Sequence, residues 1–266
     1  MEDITDAAFR RLCFNHGADI VFTEMARTDA LARKNAATWS RLDVKDDTPT
    51  IIQLLVGKPA GLGKFLGMFE PQGNFQGFNL NLGCPSPDVI SIGQGCAMMK
   101  RVTNIQKYIS LISDKGYPVS VKMRLGLNKY EKEKKVYLNL LKGTDADFYV
   151  VHARHGGERY SDPADFGVYQ ECVDTGKLII ANGDIDTVER VEELRKIGVK
   201  GVMIGRKATS DPAIFNRLKG KKNVGIDSLK EEYLRLAELY GTRIKYSQNV
   251  LKRLGSSPTL DDNMLV

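Results

Sequence analysis

The sequence lacks the paired cysteines that mark a metal-bound or disulfide-framed scaffold. Its four cysteines, Cys13, Cys84, Cys96 and Cys172, are scattered without one CxxC pair, which argues against a structural zinc site and against a small secreted domain held by disulfides. No metal site is expected, and a reducing cytoplasm is the expected setting. Also missing is any apolar run approaching the roughly 18 residues that span a bilayer, or a charged leader followed by an apolar segment. Secretion and membrane insertion are therefore not expected. There is no P-loop, and Gly93-Gln94-Gly95 lacks the third glycine of a dinucleotide fingerprint. Internal repeats and low-complexity linkers, which would divide the chain further, are absent too.

What is present is enough for a large α/β domain. The 266 residues are 42% hydrophobic, sufficient for a sizeable core. The formal charge of +6 and pI near 9.0 come from clumps such as Arg10-Arg11, Lys100-Arg101, Lys129 to Lys135, Lys219 to Lys222 and Lys252-Arg253. Any single clump reads equally well as a solvated helix face, but the summed excess favours a polyanionic partner such as a nucleic acid.

Strand-length apolar runs recur at Ile20 to Phe22, Thr50 to Val56, Phe78 to Leu82, Val119 to Met123, Phe148 to Val151, Leu178 to Ala181 and Gly201 to Ile204. Most lack period-2 polarity, as expected of strands buried on both faces of a parallel sheet. Between them lie segments with helical spacing, such as Thr187 to Ile197 with Val188, Val191, Leu194 and Ile197. The alternation predicts a (β/α) barrel or a doubly wound sheet. An eight-stranded barrel needs one more strand, and the missing one is the first: a helix is predicted from Thr5 or Asp6 to Gly17, with Phe9, Leu12, Cys13 and His16 on one stripe, and only Met1 to Ile4 precede it. The expectation is a TIM-type barrel without most of its first strand. Either the chain begins at the C-terminal end of strand one, or the fold is an open sheet, or the start is internal to a longer natural polypeptide. After Asn223 a capping box, Ser228 with Glu231, opens a helix carrying Leu229, Tyr233, Leu236, Tyr240 and Ile244, and a second helix closes at Gly255 before a polar tail from Ser256. Residues 1–222 thus read as a catalytic barrel and 223–266 as a small helical domain.

In a barrel the C-terminal strand ends share one mouth. Those ends here are polar: Thr23-Glu24-Met25, Gln53, Asn81 with Cys84, Lys122 with Arg124, His152 with Arg154, Asn182-Gly183-Asp184, and Gly205-Arg206. Each alone has a bland reading, a paired lysine, a core histidine or a backbone-bonded amide; their joint occurrence at successive strand ends favours a site. Cys84 lies between Gly83, which permits close backbone approach, and Pro85, which stiffens the turn. It is the best candidate for a reactive group. The stations after the last two strands occupy the usual phosphate-binding position of such barrels, where Arg206 offers a planar charged fork.

In order and spacing, these segments resemble the tRNA-dihydrouridine synthase family. The resembling strings are Met1-Glu-Asp-Ile-Thr-Asp6 with Phe9-Arg10, Thr23-Glu-Met25, Gln53-Leu54, Asn81-Leu-Gly-Cys-Pro85, Gly93-x-Gly-Cys-Ala97, Val121-Lys-Met-Arg124, His152-Ala-Arg154, Asn182-Gly-Asp-Ile185 and Met203-Ile-Gly-Arg206. The resemblance covers essentially the whole chain, and departs from the family in Asp3, in the missing strand and in a short C-terminal domain. It implies an FMN enzyme on a TIM barrel, reduced by NADPH, that converts uridines of tRNA to dihydrouridine. By the same resemblance Met1 and Glu2 lie at the flavin edge, Gln53 and Lys122 meet its ring, and His152, Asn182, Gly183, Asp184, Gly205 and Arg206 hold its phosphate. Asn81, Arg124 and Arg154 shape the uracil pocket, and Cys84 donates the proton.

The chemistry agrees. Saturating the uracil 5,6 bond needs a hydride at C6 and a proton at C5. Thiols of ordinary pKa, about 8.5, are mostly protonated at neutral pH and can donate. A base extracted from its stack also needs basic residues around the mouth, for which Lys100, Arg101, Arg243, Lys245, Lys252 and Arg253 are candidates. Two rivals are an FMN barrel oxidoreductase acting on a small pyrimidine, resembling dihydroorotate dehydrogenase, and a non-catalytic RNA-binding barrel.

Overall fold

The computed structural model describes residues 1, 3–221 and 223–256. Eight strands form one parallel sheet: β1 (Val21–Phe22), β2 (Ala26–Arg27), β3 (Thr50–Leu55), β4 (Phe75–Leu82), β5 (Val119–Met123), β6 (Phe148–His152), β7 (Ile179–Asn182) and β8 (Gly201–Met203). Their order in the sheet is β1-β3-β4-β5-β6-β7-β8, with β2 also paired to β3, so the chain winds in one direction with helices between strands. Every apolar run read as a strand from the sequence contributes to this wall.

β1 and β2 are two pieces of one station on β3, with Val21 opposite Thr50 and Ala26 opposite Leu54. The break between them has a local cause. The Gln53 amide donates to Thr23 Oγ1 at 3.0 Å, and that hydroxyl donates onward to the Glu24 carbonyl at 2.9 Å. A side chain thereby satisfies a backbone donor in place of a ladder carbonyl, and the chain is released to turn. Among the described residues no further strand pairs with β1 or β8, so the barrel wall is open there. Ile4 and Thr5 donate to the Met1 carbonyl at 3.3 and 3.1 Å, a turn rather than a strand.

The first helix, Ala7–Asn15, is capped by Asp6, whose carboxylate accepts the Phe9 N–H at 2.9 Å. Its stripe of Phe9, Leu12, Cys13 and His16 is buried as the spacing predicts. Thr187 caps the helix Val188–Lys196 in the same way, accepting from the Arg190 N–H. The main core lies between the sheet and the helices Pro59–Leu66, Val102–Ser113 and Val136–Gly143. At its base Phe65, Phe69, Phe75, Phe78 and Tyr117 meet mostly edge-on or tilted, with centroids 4.9 to 5.8 Å apart.

A second core joins the N-terminal region to the last two described helices. Ile4, Phe9 and Leu12 pack with Leu229 and Tyr233 of the helix Ile226–Leu239, Val250 of the helix Ile244–Arg253, and Leu254 just past its end. Two expectations are corrected here. The first of these helices starts at Ile226 behind Gly225, with no side-chain cap, so Ser228 lies inside its first turn and no capping box forms. Ile244 opens the second helix and is 77% exposed, so it does not extend the apolar stripe. The predicted tail beyond Ser256 lies outside the described residues.

Candidate active site

Cys84 is held by the side chain of Asn81 three residues before it. Asn81 Oδ1 accepts the N–H groups of Gly83 and Cys84 at 3.1 and 3.0 Å, an Asx-type turn at the end of β4. Its amide nitrogen donates to Gln53 Oε1 at 2.8 Å and contacts Met25 Sδ at 3.3 Å. From the other side the Cys96 N–H donates to the Cys84 carbonyl at 3.1 Å. Gly95 makes that approach possible: its φ is +57°, and a Cβ there would come within 2.5 Å of the Cys84 oxygen. The thiol is partly buried and at the cavity wall, while Cys96 behind it is fully buried and its thiol is pushed up to about 12 by that burial.

Lys122 projects from the neighbouring strand β5, opposite Asn81 in register. Burial first, and then Arg124 nearby, lower its pKa to about 8 against weaker support from Cys96 and Cys84. The ammonium is therefore a cation easily persuaded to give up its proton. Arg124, almost wholly buried, donates from NH1 to the His155 carbonyl at 2.8 Å and faces the Tyr160 ring at 5.8 Å.

The ends of β6, β7 and β8 build a compact cationic corner. Asp184, with φ +47°, pairs with Arg154 through one oxygen and with Arg206 through the other, the latter at 3.1 Å. Arg206 also lies 3.9 Å over the Tyr160 ring, and that ring stacks on His152 at 6.2 Å between centroids. Gly183, with φ +110°, brings the backbone against His152: a Cβ there would sit 2.9 Å from Cδ2. The His152 pKa lies well below its ordinary value, first because the ring is buried, then because Lys122, Arg124, Arg154 and Arg206 surround it. The imidazole is neutral at physiological pH.

Of the described residues singled out in the sequence, Met1, Gln53, Asn81, Cys84, Lys122, Arg124, His152, Asn182, Gly183, Asp184, Gly205 and Arg206 all line one cavity of about 2070 Å³. Glu2 lies outside the described residues. Arg154 is different: it has no exposed surface and does not line the cavity. Its guanidinium donates instead to the Asp162 and Tyr160 carbonyls. Asn182 spends its amide on the Met203 carbonyl at 2.8 Å, tying β7 to β8. Sequence reasoning missed Tyr160, which has no periodicity to announce it. Thr23 is named there only as a polar strand-end residue; its role in breaking the strand needs the partner Gln53 to be seen. Of the proposed basic rim, Lys100 pairs with Glu131 at 3.2 Å and Lys245 with Asp3 at 2.5 Å.

Residues 1–256 match the sequence profile of the dihydrouridine synthase (Dus) family. Over 260 residues the chain is 27% identical to a probable tRNA-dihydrouridine synthase of Rickettsia conorii, covering 92% of this chain and 78% of that protein. It is 29% identical to probable tRNA-dihydrouridine synthase 2 of Bacillus subtilis, covering 82% and 70%. Among solved structures, morphinone reductase superposes with a TM-score of 0.54 at 10% identity, over 87% of this chain and 85% of that one, a likeness of fold. A profile spanning nearly the whole chain, on a barrel wall that carries its polar residues at one mouth, has one meaning: the chain belongs to the dihydrouridine synthase family.

Proposed function

We propose that the chain is a tRNA-dihydrouridine synthase that reduces the 5,6 double bond of uridine in tRNA, using FMN and NADPH, with Cys84 as the proton donor. The observation that carries this reading is the convergence on one cavity of the thiol turn at Cys84, the buried Lys122 and the cationic corner at His152 and Arg206. The names of the relatives in Rickettsia conorii and Bacillus subtilis support it.

The residues suit a flavin mononucleotide. A phosphate wants a planar cation, a neutral donor and small residues that admit it closely, and Arg206, His152 and the two glycines Gly183 and Gly205 offer these. A Cβ on Gly205 would meet nothing within 4 Å, so there is space beside the arginine. Gln53 and Lys122 supply an amide and an ammonium for ring heteroatoms. Bound there, FMN would pass a hydride from NADPH to C6 of the uracil.

The protein's own residues do the rest. The Asx turn of Asn81 holds the Cys84 backbone, so the thiol keeps one position from which to protonate C5. The resulting thiolate regains its proton from water, and Lys122 close by stabilises the transient negative charge. Residues 1–222 form the catalytic part and the C-terminal helices a short tRNA-binding part. Among the described residues no helix is long and apolar enough to cross a membrane, and no cluster of side chains suits a metal ion.

The test is incubation with FMN, NADPH and unmodified tRNA, followed by nucleoside analysis. Dihydrouridine should form with the native chain and fall at least a hundredfold with Cys84→Ala. Oxidation or reduction of a free pyrimidine without tRNA modification, or tRNA binding without flavin uptake, would overturn the reading.

A further inference from the structure

Among the described residues Arg154 is the one predicted site residue that does not line the cavity, and its bonds explain why it is there. It is wholly buried, and a guanidinium has donors only, never an acceptor. Its Nε gives a 2.8 Å bond to the Asp162 carbonyl, its NH2 a 3.2 Å bond to the Tyr160 carbonyl, and the same NH2 pairs with the Asp184 carboxylate. The remaining nitrogen, NH1, lies 3.2 Å from His152 Nε2. Since arginine must donate there, Nε2 must accept. An accepting Nε2 carries no proton, so in a neutral ring the proton is on Nδ1.

We infer that Arg154 is a positioning residue for the cofactor site: by donating to His152 Nε2 it fixes the Nδ1–H tautomer, and it thereby leaves His152 a single neutral donor to offer the cavity. The same guanidinium secures the three groups around that donor. Through the carbonyls of residues 160 and 162 it holds the loop whose Tyr160 ring covers His152 and Arg206. Through Asp184 it fixes the carboxylate that Arg206 also grips, and the Ala164 N–H closes this arrangement by donating to the same carboxylate at 3.2 Å. Burial amid Lys122, Arg124, Arg154 and Arg206 keeps the ring from taking a second proton. A fixed tautomer matters for a phosphate oxygen, which can only accept: a ring in the other tautomer would present it with a bare nitrogen lone pair. The charge in the corner belongs to Arg206, and the histidine contributes direction.

This inference rests on the flavin phosphate occupying that corner, but its principal test needs neither flavin nor tRNA. Long-range ¹H–¹⁵N spectra of the flavin-free protein at pH 7 to 8 distinguish the two ring nitrogens. In the native chain His152 should show an unprotonated Nε2 and a protonated Nδ1. In Arg154→Met the ring should populate the Nε2–H form or a mixture, and FMN affinity, read by quenching of flavin fluorescence, should fall at least tenfold. Arg154→Lys, which keeps a donor, should restore the Nδ1–H tautomer and bring affinity to within about threefold of native. A native His152 protonated on Nε2 would overturn the inference without any variant. So would a lysine variant that loses FMN as badly as the methionine one, or a methionine variant with the native tautomer. If the tautomer is as stated but no dihydrouridine forms, the functional reading fails and the role of Arg154 in orienting His152 stands.

Discussion

At the mouth, Asn81 acts on its neighbours and Lys122 carries a buried charge. Asn81 spends its carbonyl oxygen on the Gly83 and Cys84 amides, so removing it leaves two partly buried donors without partners. At about 1 kcal/mol for each hydrogen bond lost, Asn81→Ala should cost about 2 kcal/mol in urea unfolding, and it should lower the rate of dihydrouridine formation more than it weakens FMN binding. Equal losses in both would mean that the turn does not hold the thiol. Lys122 provides a prediction in pH. Its folded pKa is near 8 against an ordinary 10.5, so the unfolded chain binds the proton more tightly. The ammonium is then a cost to folding that is complete below about pH 8, shrinks as pH rises, and is gone above about 10.5. Lys122→Met should therefore stabilise the flavin-free protein at pH 7 relative to native, with a gain that narrows between pH 8 and 10; a gain independent of pH would refute the burial argument.

At the scale of elements, the strands deliver the site through loops whose shape depends on close backbone approaches. Gly95 and Gly183 both have positive φ, and a side chain at either meets an atom within 3 Å, the Cys84 carbonyl or His152 Cδ2. Gly95→Ala should push back the Cys84 turn and abolish tRNA reduction while FMN binding survives. Gly183→Ala should do the reverse first, weakening FMN by tenfold or more, because it strikes the histidine and the cationic corner. Titrating FMN against both variants and assaying tRNA with each checks this separation. The loop from residue 155 to 163 is an element without regular structure, yet it is pinned by two buried arginines, Arg124 on the His155 carbonyl and Arg154 on those of residues 160 and 162. Its order comes from side-chain donors in place of a ladder.

At the scale of the whole molecule, the first helix and the last two described helices meet. The C-terminal helices share a core with the helix Ala7–Asn15, and polar bonds reinforce it: Thr242 Oγ1 donates to the Asp6 carboxylate at 2.7 Å, His16 meets Glu232 at 2.8 Å, and Tyr246 OH donates to Glu24 at 2.6 Å. The last of these connects the helical region to the strand break at Thr23-Glu24-Met25, beside the cavity. Leu229, wholly buried in this core, should cost 2–5 kcal/mol when cut to alanine. Hydrogen exchange should show the N-terminal helix losing protection together with the C-terminal ones. Exchange confined to the C-terminal helices would show instead that they form an independent unit.

The parallel wall and its polar rim were legible in the sequence because they depend on local pattern. Unalternated apolar runs separated by helical spacing are the pattern of buried parallel strands, and the residues at the C-terminal end of each run, or just beyond it, stand at the same end of the sheet. That is why Gln53, Asn81, Lys122, His152 and Arg206 could be named as neighbours although they are spread over more than half the chain. Which of these line the cavity and how their polar atoms pair was decided by tertiary contact. Arg154 stands two residues from His152, a spacing that on a strand would give it the same face, yet it lies beyond the strand end and turns inward to the carbonyls of a loop. Asn182 turns to Met203, and Tyr160 reaches Arg206 from a loop without periodicity. Hydrogen-bond partners remote in sequence decide such orientations, because a buried donor goes wherever an acceptor can be found.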